Sequence, residues 1–565
     1  MITAHIRYDN KKLQCHLNKS TVADELYVFF TKEETPQYSR LKLDIHPKQD
    51  IVLKSVDIQI QTHLDINNTS VLCNGFQTWS ETREYTFNET PDNLRWFAKP
   101  LMGYYGDYHI ANIPRQKGIL HSWTYAYHRS NSDNNINFIG SLNETTGFTY
   151  FLYNADNQTI TIKKDVENLI LTHSFPTLDI VILKGDTPSV FKHYFDLQNL
   201  PKPKFGYTTG WTSWYNYYNK ISEDIIVQNL QAFKEKDLPI DIFQIDDGWE
   251  TRIGDWLSVQ PSFPNGMAHT AQLIHNQGFK AGLWLAPFIV EPKSRIYQEK
   301  KDWLLKDEKG NPVAVGYAPH WSGKFYALDF YNKQVQDYLS GVFHTVLHKW
   351  GFDMLKLDFL YAVCVLPRPN KTRGQIMHEA MIFLRQLAGD KILLACGVPL
   401  GSSFGLVDFC RIGADIHLKW EHSLLKFLKN RERVSTIVAL RTVLNRWQLN
   451  GHVFLNDPDV FILREKNHSL TPHQRETILI INVLLGDLLF CSDVVTEYTE
   501  GVLAQYKMIF DYKNRIVKNV SQPIFDFYVI DFELNGEAKK AYCNLNNRVV
   551  AFESQTMQAF QTSIV

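Results

Sequence analysis

The stretch Asp353-Met-Leu-Lys-Leu-Asp-Phe359 is a short, apolar, β-forming run that closes on two charges. Side chains alternate along a strand, so Lys356 and Asp358 point to one face, two residues apart. A buried strand has little use for an ammonium beside a carboxylate unless the two pair structurally or a ligand needs them. On this stretch alone both explanations stand, and the surrounding sequence has to separate them.

Outward from it, between about 206 and 495, β-like and α-like patterns alternate. Eight strand-like runs occupy 207–214, 240–247, 280–287, 353–359, 392–397, 409–415, 452–457 and 487–493. Amphipathic helices fall between most of them. Residues 223–233 are one, with Ser222 as N-cap and Ile226, Leu230 and Phe233 on one face. Eight such units predict a (β/α)8 barrel. Two connections are irregular. The third is long, with a Trp- and Tyr-bearing insertion over 291–330, and the fifth (398–408) is too short for a full helix. A doubly wound sheet is the alternative, but it does not explain what ends the strands. In order these are Trp211/Trp214, Asp246-Asp247, Trp284, Lys356/Asp358, Cys396, Arg411/Asp415, Asn456/Asp457 and Ser492/Asp493. In a barrel all strand C-termini open onto one face, where active sites sit.

The flanks read differently. Residues 1–185 hold short β-branched runs parted by Gly, Asn and Asp clusters, which predicts a β-sandwich of supersandwich size. Residues 186–205 join a helical piece to Leu200-Pro-Lys-Pro-Lys204, a stiff linker. Residues 496–565 return to a β pattern and predict a small antiparallel sheet capping the barrel. The predicted fold is multidomain α/β with all-β flanks: an N-terminal β-sandwich, a central TIM barrel and a C-terminal antiparallel β domain. The polar loop Asn74-Gly-Phe-Gln-Thr-Trp-Ser80 carries Trp79, which by itself reads as an indole folded back on its own domain.

Composition excludes several classes. A formal net charge of -1 over 565 residues gives no electrostatic case for nucleic acid or an anionic membrane. The seven Cys are scattered with no CxxC, which argues for reduced thiols and against a disulfide framework or zinc cluster. The N-terminus lacks a signal-peptide pattern and no run reaches a membrane span, so the expectation is a cytoplasmic protein without a membrane partner. The Asn-x-Ser/Thr triplets are chance occurrences in an Asn-rich chain. No GxGxxG, P-loop or GxSxG motif occurs, so no cofactor is predicted. His344 and His348 lack the HExxH glutamate and read as a helix-surface pair. His417, Glu421 and His422 read as loop residues, so no metal is predicted.

Several carboxylates beside Trp platforms fit glycoside chemistry, which places two carboxyl groups about an anomeric centre. The nucleophile must stay ionised, and a neighbouring cation favours that, which points to Asp358 beside Lys356. Asp415, four residues after Arg411, suits the acid/base. The adjacent Asp246 and Asp247 diverge and suit sugar hydroxyls.

At these residues the chain resembles glycoside hydrolase family 36, the α-galactosidases of clan D, in their compact bacterial form. The matching stretches are Thr209-Gly-Trp-Thr-Ser-Trp-Tyr215, Phe243-Gln-Ile-Asp-Asp247, Ile253-Gly-Asp-Trp256, Leu283-Trp-Leu-Ala-Pro-Phe288, Lys356-Leu-Asp-Phe359, Cys396-Gly-Val-Pro-Leu400, Arg411-Ile-Gly-Ala-Asp415 and Leu455-Asn-Asp-Pro-Asp459. The resemblance implies a retaining exo-α-galactosidase acting on α-galactoside oligosaccharides, with Asp358 as nucleophile and Asp415 as acid/base. It implies Asp246 and Asp247 on the 4- and 6-hydroxyls, Lys356 on the O3/O4 edge and Arg411 near O2. Trp211, Trp214 and Trp284 would wall the sugar, Cys396 would face its 2-substituent, and Trp79 would reach in from the N-terminal domain. Larger family members carry Cys-Ser-Gly-Gly where this chain has Cys396-Gly-Val-Pro-Leu-Gly401. That departure leaves an α-N-acetylgalactosaminidase as an alternative, beside a transglycosylase and, more remotely, a non-catalytic carbohydrate-binding relative. A homo-oligomer is an expectation of the resemblance alone.

Overall fold

The computed structural model describes residues 2–130 and 135–565; Met1 and residues 131–134, part of the stretch expected to form the sandwich, lie outside the described residues. Two antiparallel sheets of seven and eight strands pack on one another across the N-terminal part of the chain. The alternation that predicts them is visible in the strand Leu26–Glu34, where Leu26, Val28 and Phe30 are buried and the residues between them face solvent. The helix Thr187–Gln198 then leaves the sandwich. Asp186 caps it by accepting from Ser189 N (3.0 Å), Pro188 sits in its first turn, and it ends at Asn199 in the left-handed conformation.

The barrel strands are β1 (Thr208–Thr212), β2 (Ile242–Ile245), β3 (Lys280–Leu285), β4 (Met354–Leu357), β5 (Ile392–Ala395), β6 (Phe409–Arg411), β7 (Leu455–Asp457) and β8 (Leu488–Cys491). They pair in parallel from β7 through β1 to β8. All residues of β2, β4, β5 and β8 are buried, as expected of strands covered on both faces. After β7 the chain breaks at Pro458, which has no N–H to give the ladder, and at Asp459, whose φ is 78°. It resumes as Val460–Phe461, paired in parallel with β8. The bond from Asp487 N to Asn456 O (3.0 Å) links β7 to the start of β8. The helix Glu223–Glu235 forms with Ser222 as its cap and Ile226, Leu230 and Phe233 buried.

The two irregular connections are as expected. The third contains a hairpin of Ala314–Ala318 and Gly323–Ala327, and the fifth holds a single turn at Leu400–Ser403. The C-terminal segment forms a four-stranded antiparallel sheet, tied to the barrel by Arg515 on Asp487 and by Arg441 on Asp526. The seven cysteines are all unpaired and buried.

One buried arginine locks sandwich to barrel. Arg446, on the barrel helix Thr436–Arg446, donates to Asn74 Oδ1 (2.9 Å), Gly75 O (3.3 Å), Gln77 O (3.2 Å), Thr78 O (2.7 Å) and Ile412 O (2.8 Å). Burial without a carboxylate partner brings its guanidinium down to about 10. The acceptors are the backbone of the Trp79 loop, so one side chain sets that loop against the barrel. Arg446→Met leaves those acceptors buried and unanswered, at a cost of about 3 kcal/mol or more. The expected readout is a lower urea midpoint with faster amide exchange over 74–80; an unchanged midpoint would mean that packing alone holds the loop.

Candidate active site

The mouth of the barrel encloses a pocket of about 430 Å³. Of the residues singled out in the sequence, Trp79, Trp214, Asp246, Asp247, Trp284, Lys356, Asp358 and Asp415 line it.

The floor is built from strand ends. On β2, Gln244 and Asp246 share the inner face, and Asp246 Oδ2 accepts from Gln244 Nε2 (3.1 Å) and Lys356 Nζ (2.7 Å). The ammonium is thus committed to Asp246 across the barrel, rather than to Asp358, its neighbour on β4. Burial alone would lower the Lys356 ammonium, but Asp246 outweighs it and raises the group well above its usual range. Asp247 Oδ2 accepts from Trp321 Nε1 (2.9 Å). Gly248, which follows, has φ 114°, and a Cβ there would meet the Asn219 backbone at 2.6 Å, so the turn that follows the two aspartates requires glycine.

Asp358 sits at the end of β4 with 9% of its surface exposed. Its Oδ2 accepts from Trp284 Nε1 (3.1 Å) and its Oδ1 from Phe359 N (2.8 Å). Phe359 holds the left-handed conformation (φ 55°), uncommon for a bulky residue, and packs against Trp79, Trp321 and Phe325. The cation beside Asp358 does not depress its carboxyl. Burial pushes it above the ordinary range, Lys356 opposes that, and Asp415 adds to it. The influence of Asp415 puts the two expected catalytic carboxyls within electrostatic reach of each other. Asp415 is the more open of the two, with a side chain 34% exposed and Oδ1 accepting from Arg411 Nη1 (2.9 Å).

Three expected sugar contacts are not in the pocket. Trp211 is fully buried, stacked on Phe243 at 4.2 Å, with Nε1 donating to Asp493 O (2.9 Å). Strand alternation is the reason: Thr212, not Trp211, faces Gln244 inside the barrel, and Trp211 packs outward. Arg411 is buried beneath Asp415 and divides its guanidinium among Asp415, Asp457 (3.1 Å) and Asp459 (2.9 Å), leaving no free edge for a sugar. Cys396 is 1% exposed and lies under Trp79, whose Nε1 donates to its sulfur (3.2 Å). The clusters ending β7 and β8 are structural too: Asp457 holds Arg411, and Asp493 holds Arg464 and Tyr498.

The sequence reading missed several pocket residues. Tyr317, His320 and Trp321 come from the third-connection insertion, whose Trp was noticed without its target. Tyr105 and Glu432 come from loops with no local motif. Glu432 accepts from Ser80 Oγ (2.8 Å), and burial, reinforced by Asp107, raises it to about 7. His417 and His422 also line the mouth, their rings 4.8 Å apart. Among the described residues no group of His, Cys, Asp and Glu has the geometry to hold a metal ion.

A parallel (β/α)8 barrel whose mouth gathers carboxylates and indoles around one pocket has the residue types that glycoside chemistry uses, at the face where barrel enzymes carry their sites. Residues 209–389 match the melibiase family model. The chain is 30% identical over 180 residues to α-galactosidase Mel36A of Lactobacillus acidophilus, covering 30% of this chain and 23% of that one. It is 28% identical over 233 residues to an A type blood α-D-galactosamine galactosaminidase of Flavonifractor plautii, covering 35% of this chain and 20% of that one. The matched segments thus span under a quarter of these relatives' length. The structure of an α-galactosidase from Thermus thermophilus in complex with stachyose superposes with a TM-score of 0.70 at 26% identity, over 87% of this chain and 99% of that one. The chain is thus similar to the melibiases over residues 209–389, and its fold is shared with a solved α-galactosidase over most of its length.

The placement of Trp211 is testable against Trp214. Trp211→Phe is expected to lower the melting temperature while leaving substrate KM within about twofold. Trp214→Ala, at the pocket wall, is expected to raise KM by about tenfold, the scale of a lost sugar-stacking surface. The reverse pattern would return Trp211 to the site.

Proposed function

We propose that this protein is an exo-acting, retaining α-galactosidase that removes terminal α-galactosyl residues from oligosaccharides. The observation that carries the reading is the gathering of Asp246, Asp247, Lys356, Asp358 and Asp415 with Trp79, Trp214 and Trp284 around one pocket. In this mechanism Asp358, aimed by Trp284 and Phe359 N, attacks the anomeric carbon while Asp415, at the more open side, protonates the departing oxygen. Water then enters and Asp415 takes its proton as the galactosyl–Asp358 ester is hydrolysed. Asp246 and Asp247 accept from sugar hydroxyls, with Lys356 fixing the first of them. The aromatic walls exclude water and offer flat faces to the ring.

The relative from Flavonifractor plautii keeps the acetamido sugar as a second reading. Cys396 and Gly397, which open segment 396–401, lie against the Trp79 indole, and a Cβ at Gly397 would meet that indole at 2.9 Å. A large fixed ring over the segment expected to face the 2-substituent supports a hydroxyl there over the bulkier acetamido group.

Wild type is expected to release nitrophenol from para-nitrophenyl α-galactoside and much less from the α-N-acetylgalactosaminide. Asp358→Ala should remove nearly all turnover with the fold retained. Preference for the acetamido sugar would move the substrate, and no turnover of either would sink the activity. The first-formed sugar should be the α anomer by proton NMR; the β anomer would mean inversion.

The ionisation of Asp358 sets a pH dependence. The carboxylate form attacks, and burial raises its affinity for a proton, so kcat/KM should fall on acidification with a midpoint above the ordinary aspartate value of about 3.9. A kcat/KM still level at that value would contradict the buried, raised carboxyl.

A further inference from the structure

Behind Asp247, three residues along the chain, stands a second carboxyl that the mechanism does not use. Glu250 is 4% exposed. Its backbone is pinned: its carbonyl accepts from Gln260 Nε2 (3.1 Å), and it forms an antiparallel bridge with Val259. Its carboxyl and that of Asp247, both buried, act on one another's protonation. Among the described residues no donor reaches its buried Oε2.

Two buried carboxyls acting on one another cannot both ionise unless a cation compensates them. The charges facing the pair leave none to spare. Lys356 is spent on Asp246 at 2.7 Å. His320 Nε2 lies 3.8 Å from Asp247 Oδ2, and burial lowers that imidazole, which keeps it neutral. Glu291 adds a further acid nearby; the Ser322 hydroxyl donates to it at 2.5 Å and Arg252 stands 3.8 Å away. Burial pushes Glu250 well above the ordinary carboxylate range, with Asp247 the next cause.

We infer that Glu250 is a positioning residue of this pocket: it keeps a proton and donates it to Asp247, fixing that carboxylate so that its remaining lone pairs accept from a ligand hydroxyl. The donor is a neutral acid in an apolar wall, so it orients Asp247 without adding a charge to the floor. When Glu250 loses its proton the hydrogen bond becomes a repulsion, and hydroxyl binding weakens. By linkage the proton also contributes stability that is fully present below the unfolded glutamate value of about 4.3 and is lost as pH rises from there through the raised folded value.

The identity of the hydroxyl rests on the α-galactosidase reading; the shared proton does not. On para-nitrophenyl α-galactoside, Glu250→Ala is expected to raise KM about tenfold or more with a much smaller change in kcat. Glu250→Gln, whose amide donates at every pH, is expected to rescue KM at neutral pH. It should also flatten the alkaline rise in KM expected of wild type. An unchanged KM in Glu250→Ala, or an alkaline rise that persists in Glu250→Gln, would overturn the inference. Infrared difference spectra of the enzyme alone give a second readout: the wild-type minus Glu250→Gln spectrum at neutral pH should carry a protonated-carboxyl stretch, the contributions of other raised carboxyls such as Glu432 cancelling between the two. That band is read without substrate. Its absence sinks the proton assignment, whereas failure of galactoside turnover with the band present would sink only the activity.

Discussion

The structure depends on one electrostatic constraint: carboxyl groups crowded into a water-poor pocket with a single ammonium among them. Asp246, Asp247, Asp358, Asp415 and Glu432 all line the cavity, and Lys356 is the one Lys or Arg side chain that lines it with them. Lys356 neutralises Asp246. The others are managed by different means: indole N–H donors for Asp247 and Asp358, the guanidinium of Arg411 below Asp415, and a raised carboxyl at Glu432. Each device keeps an acceptor facing the cavity, and the one further cation, Arg411, lies beneath Asp415 and not among the lining residues.

The pocket is a product of all three parts of its scaffold. The barrel supplies the floor, the third-connection hairpin supplies Trp321 and His320, and the sandwich supplies Trp79 and Tyr105. The sandwich contribution is held by arginines of the barrel. Arg446 takes the carbonyls of the Trp79 loop, and Arg431 reaches Cys73 O and Glu81 O on either side of it. A guanidinium with several fixed donors can answer several carbonyls at once, which a lysine in the same place could not do. The ring over the sugar pocket is therefore positioned from beneath, by residues that never meet a ligand.

The barrel was legible because its strands are buried on both faces and read as apolar runs, each interrupted where a polar residue meets the mouth. Lys356 and Asp358 could be placed together because the two-residue period applies to any strand. The same rule, applied to β1, separates Trp211 from Thr212 and sends the indole outward; reading the Trp as a sugar wall because of its residue type overrode the periodicity. Arg411 was misread for a related reason. Sequence shows that it precedes Asp415 by four residues, but not that Asp457 and Asp459 converge on it from β7, a meeting that depends on the break at Pro458. Tyr105 and Glu432 carried no signal, since neither belongs to a periodic element and their partners lie hundreds of residues away.

The protonation pattern of the floor follows from what a polyhydroxyl ligand offers. A sugar brings donors and acceptors of its own, so a pocket lined with paired ions would have to break those pairs to bind it. A floor in which burial keeps some carboxyls protonated, and indoles satisfy the rest, has acceptors already oriented and little charge to desolvate. Asp358 illustrates the consequence. Its carboxyl is held high by burial, with only one N–H donor from a side chain and one from the backbone, so it is less stabilised as an anion than an aspartate in water. In the retaining mechanism proposed above, such an under-stabilised carboxylate is the better nucleophile once the anomeric centre develops positive charge in front of it. In that proposal the crowding of the carboxyls is strain that an oxocarbenium-like transition state relieves.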